Sequence, residues 1–240
     1  MTSLIRANMK RMMKHIFFIP GLILAMLITF IVLKIRPVEF EMMKYWFRTV
    51  GLGIPVFFSF FIPLFIGVEY KSGSFRNKVI AGHRQSEIII SLFASSFIGV
   101  TIMTLCWVLA GTVYLFTERY APDKEFIVTS IGLWFAFLAY ASIITLISLR
   151  VKNMVVSTVV CINYFMVSYF LGVTSFSINM LSESSIGTAL FENIFRLGQW
   201  FGIMNADDSF VMPVRIIISV GLIVIAALIA SFKINRRELN

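Results

Sequence analysis

The chain has 240 residues, 59% of them hydrophobic and 14% charged, with a mean hydropathy of +0.90. So little charge, and apolar runs of about 20 residues, leave nothing from which to build a separate soluble domain and predict an integral membrane protein. The net charge of +9 does not point to nucleic acid, because no polar domain exists to carry a basic face.

At the N-terminus, Ile5, Met9, Met12 and Ile16 fall at helical spacing, with Arg6, Lys10 and Lys14 on another face. That pattern predicts an amphipathic helix at the membrane interface, its cations near anionic headgroups. Runs long enough to cross a hydrocarbon core about 30 Å thick follow at 16–33, 49–68, 88–116, 126–149, 154–176 and 214–232. The predicted fold is all-α, a single transmembrane domain over 1–240 with six spanning helices and no nucleotide-binding domain. The first run is too long for a signal-peptide core, and KIRPVEFE rather than a small-residue cleavage site follows it, so it reads as a retained span. Pro55 and Pro63 predict a kink in the second span. The third run exceeds a perpendicular crossing and should tilt, project or bend, with Gly99 and Gly111 as bending points. Cys106 and Cys161 lie inside spans and read as small packing residues.

Between the fifth and sixth runs, the stretch 177–212 is too long for a structureless loop. Ile186, Leu190, Ile194 and Leu197 repeat at helical spacing there, predicting one or two short external helices that dip into the leaflet. Glu183, Glu192, Asp207 and Asp208 would give them a negative rim.

Lys and Arg are distributed unevenly about these spans. One side collects Arg6, Lys10, Arg11, Lys14, Lys71, Arg76, Lys78, Arg84, Arg150, Lys152, Lys233, Arg236 and Arg237, whereas most of the acids fall on the other. By the positive-inside rule both termini and the 69–87 loop are cytoplasmic. No Asp, Glu, Lys, Arg or His lies in the central part of any run, so the residues that usually couple movement to an ion gradient are missing. Asn163 is the most polar side chain in mid-span; it either makes an interhelical hydrogen bond or lines a substrate path. The chain has no H-E-x-x-H, no G-x-S-x-G and no phosphate-binding G-x-x-x-x-G-K-[ST]. Neither catalysis, a metal site, a bound cofactor nor ATP hydrolysis is expected within it.

The polar island 69–87, EYKSGSFRNKVIAGHRQSE, interrupts two long apolar runs. Ser74 is suited to cap a helix, Phe75, Val79 and Ile80 form an apolar stripe, and Gly82 is placed to end it, which predicts a helix of two turns. Ser86 then caps the third span, with Glu87 in its first turn. Glu69 ends the second span, where a carboxylate is disfavoured by about 0.3–1 kcal/mol unless paired; Lys71, Arg76 or a partner protein would supply the cation.

An interface helix, six spans with both ends inside, and a loop of the form E-x-x-x-G-x-x-x-N-x-x-x-x-G at Glu69, Gly73, Asn77 and Gly82 resemble the membrane subunit of a type-2 ABC transporter. The closing FKINRRELN resembles the basic tail of such permeases. The resemblance implies that the island is a coupling helix seated on a separate ATPase, with Glu69, Gly73, Phe75, Arg76, Asn77, Lys78 and Gly82 as the coupling residues. It further implies two copies of an ABC ATPase subunit that carry ATP and Mg, a second permease subunit as homo- or heterodimer, and a bacterial plasma membrane. The layout also resembles permeases that export or clear bacteriocins and lantibiotics, so the expected cargo is an amphipathic or hydrophobic substrate such as an antimicrobial or toxin-like peptide. The alternatives are ABC export of a lipid-like compound or drug, and a self-contained secondary transporter or channel.

Overall fold

In lipid, an apolar run satisfies its backbone groups only as a helix or a closed barrel. The computed structural model describes residues 2–35, 40–151, 153–181 and 211–234, and no strand occurs among them. In chain order the helices are α1 (Thr2–Met13), α2 (Phe18–Ile35), α3 (Phe40–Gly51), α4 (Gly53–Lys71), α5 (Ser74–Ile80), α6 (Gln85–Thr117), α7 (Lys124–Arg150), α8 (Met154–Leu181) and α9 (Val211–Ile234). Among the described residues, four stretches are long and apolar enough to cross a membrane: Phe18–Ile35, Met42–Lys71, Gln85–Thr117 and Lys124–Arg150. The fifth and sixth expected runs fall on α8 and α9, whose described apolar stretches are Met154–Phe170 and Ile216–Ala230. The external helices predicted for 177–212 fall largely outside the described residues, as does the end of the basic tail.

The second span differs most from expectation. Its apolar helical stretch takes in α3 ahead of residue 49, and this amphipathic helix buries Met43 and Phe47 together with Lys44 and Arg48. The break between α3 and α4 falls at Leu52. Pro55 offers no N–H to the carbonyl of residue 51, and its ring crowds that carbonyl, so the chain breaks one turn before the proline. Pro63 lies within α4 without ending it.

Helix α7 is the hub and packs against α4, α6, α8 and α9. Gly132, Ala136, Ala139 and Ala141 on its buried surface let neighbouring backbones approach closely, which is how helices associate where lipid removes the hydrophobic driving force. Polar pins complete the packing: Ser59 and Tyr140 hydroxyls lie 2.7 Å apart between α4 and α7, and Trp134 Nε1–H donates to Thr101 Oγ1 of α6 at 3.1 Å. Cys106 and Cys161 are free thiols.

Helix α6 runs unbroken through Gly99 and Gly111. They are places of close approach, for Met12 of α1 and Phe47 of α3. Phe47 stacks on Trp107 with centroids 4.1 Å apart and leans on Phe126 at 4.7 Å, while Trp107 Nε1–H donates to the Phe47 carbonyl at 3.2 Å. A Cβ on Gly111 would fall 2.3 Å from Phe47 Cε2, and a ring clamped on both sides has nowhere to move. We expect Gly111→Ala to lower stability by about 1–3 kcal/mol, read as a lower unfolding midpoint in detergent. Gly53→Ala, which meets open space, should leave the midpoint unchanged or raise it.

Candidate functional site

Two glycines shape α5. Gly73 has φ +66° and Gly82 has φ +89°, in the left-handed region where an L-residue with a side chain is disfavoured by about 1–2 kcal/mol. Gly73 ends α4, its N–H donating to the Tyr70 carbonyl at 3.2 Å, and at once caps α5, its carbonyl accepting from Asn77 N–H at 3.0 Å. Ser74 is therefore the first residue inside α5 rather than its cap; the chain reverses so tightly that no non-helical position is left for it. At the other end Gly82 N–H donates to Val79 O at 3.0 Å and His83 N–H to Lys78 O at 3.2 Å, the paired closure of a Schellman motif. Likewise Ser86 lies within the first turn of α6, and Arg84 occupies the cap.

Beneath α5 lies a buried charge. The Glu69 side chain has 0% exposure, and Lys78 Nζ donates to both carboxylate oxygens, at 2.7 and 2.9 Å. Arg11 of α1 forms a second ion pair with the same carboxylate and lies over the Phe65 ring, 4.4 Å from its centroid. Lys78 also donates to Asn8 Oδ1 at 3.0 Å, Asn8 Nδ2 donates to Ser91 Oγ at 3.0 Å, and that hydroxyl donates to the Ile88 carbonyl at 2.7 Å. Phe75 stacks on Tyr70 at 5.4 Å, and Tyr70 O–H donates to the Leu149 carbonyl of α7 at 3.2 Å. One cluster thus ties α5 to α1, α4, α6 and α7.

The cations that neutralise Glu69 are Lys78 and Arg11, not Lys71 or Arg76, both of which are exposed. Lys71 is two residues beyond Glu69, about 200° around the helix, whereas Lys78 shares the inner face of α5 with Phe75, three residues earlier. The buried stripe of α1 is Leu4, Asn8 and Met12. Ile16, expected on that stripe, lies beyond the helix end and is 75% exposed. Asn8, Arg11, Tyr70 and Ser91 carry the junction without having been singled out from sequence. The available signal was Asn8, a polar residue spaced midway between Leu4 and Met12.

The expected coupling residues divide between two faces. Phe75 and Lys78 point inward with Glu69, whereas Arg76, Asn77 and Gly82 are exposed, beside Val79 and an Ile80 that is 72% exposed. Around them Arg6, Lys10, Lys14, Lys71 and Arg84 are also exposed. Asn163 is apart from this cluster, on an exposed face of α8, where its Nδ2 donates to its own Val159 carbonyl at 2.9 Å. Neither a protein-family model nor a curated protein matches the sequence.

Removing one partner of a buried ion pair costs about 3–5 kcal/mol. Glu69→Ala should therefore lower the unfolding midpoint sharply, and Glu69→Leu combined with Lys78→Met should cost much less than the two single changes added together; a strictly additive cycle would show that the pair is not coupled. His15, edge-on to Phe61 at 5.2 Å, has its pKa lowered first by burial and then by the positive charge of Arg11. The unfolded chain binds more protons than the folded one just below the ordinary histidine range, so this group makes stability rise with pH through that window. Arg11→Gln should move the His15 pKa upward in an NMR titration of its imidazole.

Proposed function

We propose that this chain is the membrane subunit of a type-2 ABC transporter, with α5 as the helix through which separate ATPase subunits move the spans. The observation that carries the reading is the division of α5 into two faces. Its inner face is locked to α4 and α6 through Lys78, Glu69, Asn8 and Ser91, and its outer face presents Arg76, Asn77 and Ile80. A connector that only joined two spans would need neither a closed two-turn helix nor a buried carboxylate beneath it.

In this cycle two ATPase subunits close on ATP and Mg and push against the outer face of α5. Lys78 passes the displacement to α4 through Glu69, and the Asn8–Ser91 bond passes it to α6. A path between two copies, or between this chain and a related subunit, then changes shape around an amphipathic or hydrophobic cargo of the antimicrobial-peptide class. Asn163 belongs to that path or to the contact between subunits. In this reading α8 and α9 are the fifth and sixth crossings of a bacterial plasma membrane, with both termini and α5 in the cytoplasm. The charge arrangement supports this orientation. Exposed cations crowd the α5 end, while at the opposite end Lys34 pairs with Glu118, and Lys44 and Arg48 pair with Glu125.

Purification of the tagged full-length chain from native membranes should recover an ATP-binding subunit. Reversing the outer face with Arg76→Glu and Ile80→Asp should cut that recovery by about tenfold while leaving the unfolding midpoint in detergent unchanged. Recovery of no ATP-binding protein, or equal recovery with the variant, would overturn the proposal.

A further inference from the structure

At the end of the molecule away from α5, a groove with a volume of about 450 Å³ runs between α6 and α7. Along α6 it extends from Thr101 to Thr112, about 16 Å at 1.5 Å per residue. One leaflet of a hydrocarbon core is about 15 Å deep. Hydroxyl-bearing residues line the groove, yet their polar atoms are turned away from it. Thr101, Thr104 and Thr112 donate to the carbonyls of Phe97, Val100 and Leu109, and Ser130 donates to that of Phe126, all within 2.7–2.9 Å. The Trp134 N–H is spent on Thr101. What remains to line the space is methyl groups, the indole ring and the exposed side chains of Leu105, Ile127 and Ile131. The groove is apolar, one leaflet deep and open at its side.

Charge at its mouth is uneven. The connection between α6 and α7 and the first turn of α7 carry Glu118, Asp123 and Glu125, and each is turned to a cation of another helix: Lys34 at 2.8 Å, Lys44 at 3.1 Å, and Lys44 and Arg48 both at 2.5 Å, respectively. Arg119 of the connection and Lys124 at the start of α7 are exposed and make no ion pair with any described residue. They flank Pro122, which lines the groove at that end. An apolar slot one leaflet deep under two uncompensated cations matches an acyl chain joined to a negatively charged head.

We infer that this groove binds an anionic phospholipid of the leaflet facing the α6–α7 connection, its acyl chain beside Trp134 and its phosphate between Arg119 and Lys124. The inference requires only that the chain spans a membrane and does not rest on the transport reading. Each cation near a membrane surface enriches anionic lipid about fivefold.

Trp134 reports the occupant directly, because bromine on an acyl chain quenches an indole that it touches. The full-length protein and Trp134→Phe are reconstituted into phosphatidylcholine vesicles containing a minor fraction of phosphatidylglycerol. The chains of one lipid or the other are brominated toward the bilayer centre, at equal mole fraction of brominated lipid. The emission difference between the two proteins isolates Trp134. Its quenching should be several-fold stronger with brominated phosphatidylglycerol, and the preference should vanish in Arg119→Gln with Lys124→Gln while quenching by brominated phosphatidylcholine persists. The surface changes are checked for folding by an unchanged unfolding midpoint. Equal quenching by the two lipids, a preference that survives loss of both cations, or a Trp134 that neither lipid quenches would overturn the proposal.

Discussion

A carboxylate taken out of water at the end of an apolar helix costs several kcal/mol unless cations are held against it. Glu69 is such a group, and its neutralisation organises the end of the molecule that carries α5. Lys78 reaches it only if α5 folds back under α4, and Arg11 reaches it only if α1 lies along α6. The fold-back in turn requires a reversal in two residues, which Gly73 supplies. The two ties are not equal. Lys78 donates to both carboxylate oxygens and to Asn8, whereas Nε and Nη2 of Arg11 are buried without a hydrogen-bond partner. Arg11 thus contributes mainly charge, whereas Lys78 contributes charge and hydrogen bonds, one of them to Asn8 of α1.

The opposite end uses the same chemistry for a different result. Lys44 and Arg48, buried on α3, draw Asp123 and Glu125 of α7 toward them, and Asp123 also caps α7 through the Phe126 N–H at 2.8 Å. These pairs join α3 to α7 around the Phe47–Trp107 stack, so the two ends are both braced by ions while the middle is held by shape. In the middle, Ser59 and Tyr140 supply a hydrogen bond without a charge, which suits a layer where a charge would be costly.

Much of this was legible from residues alone. The long apolar runs dictated helices, and the stripe of Phe75, Val79 and Ile80 followed by Gly82 dictated a short helix closed at that glycine, although its start falls at Gly73 rather than at a Ser74 cap. The positions of the polar contacts were less accessible. α3 was hidden because a helix carrying Lys44 and Arg48 reads as a hydrophilic connector until Asp123 and Glu125, some 80 residues later, are known to cover it. Glu69 announced its need for a cation, but local spacing favoured Lys71 and Arg76. The choice of Lys78 depends on the fold-back angle, and that of Arg11 on the packing of α1, neither of which is a local property. Asn8 looked like one polar residue among several until Ser91 and Lys78 were placed on either side of it.

Helix α5 is seven residues long, fixed at both ends by glycines, and has one buried and one exposed face. Each residue advances a helix by about 100°, so its length is also a phase. One residue added or removed between Phe75 and Lys78 would swing the lysine out of line with Glu69 and turn an exposed position inward in its place. The connector should therefore keep its fold through exchange of its outward side chains while resisting any change in residue number. In that respect it behaves as a keyed part rather than a loop.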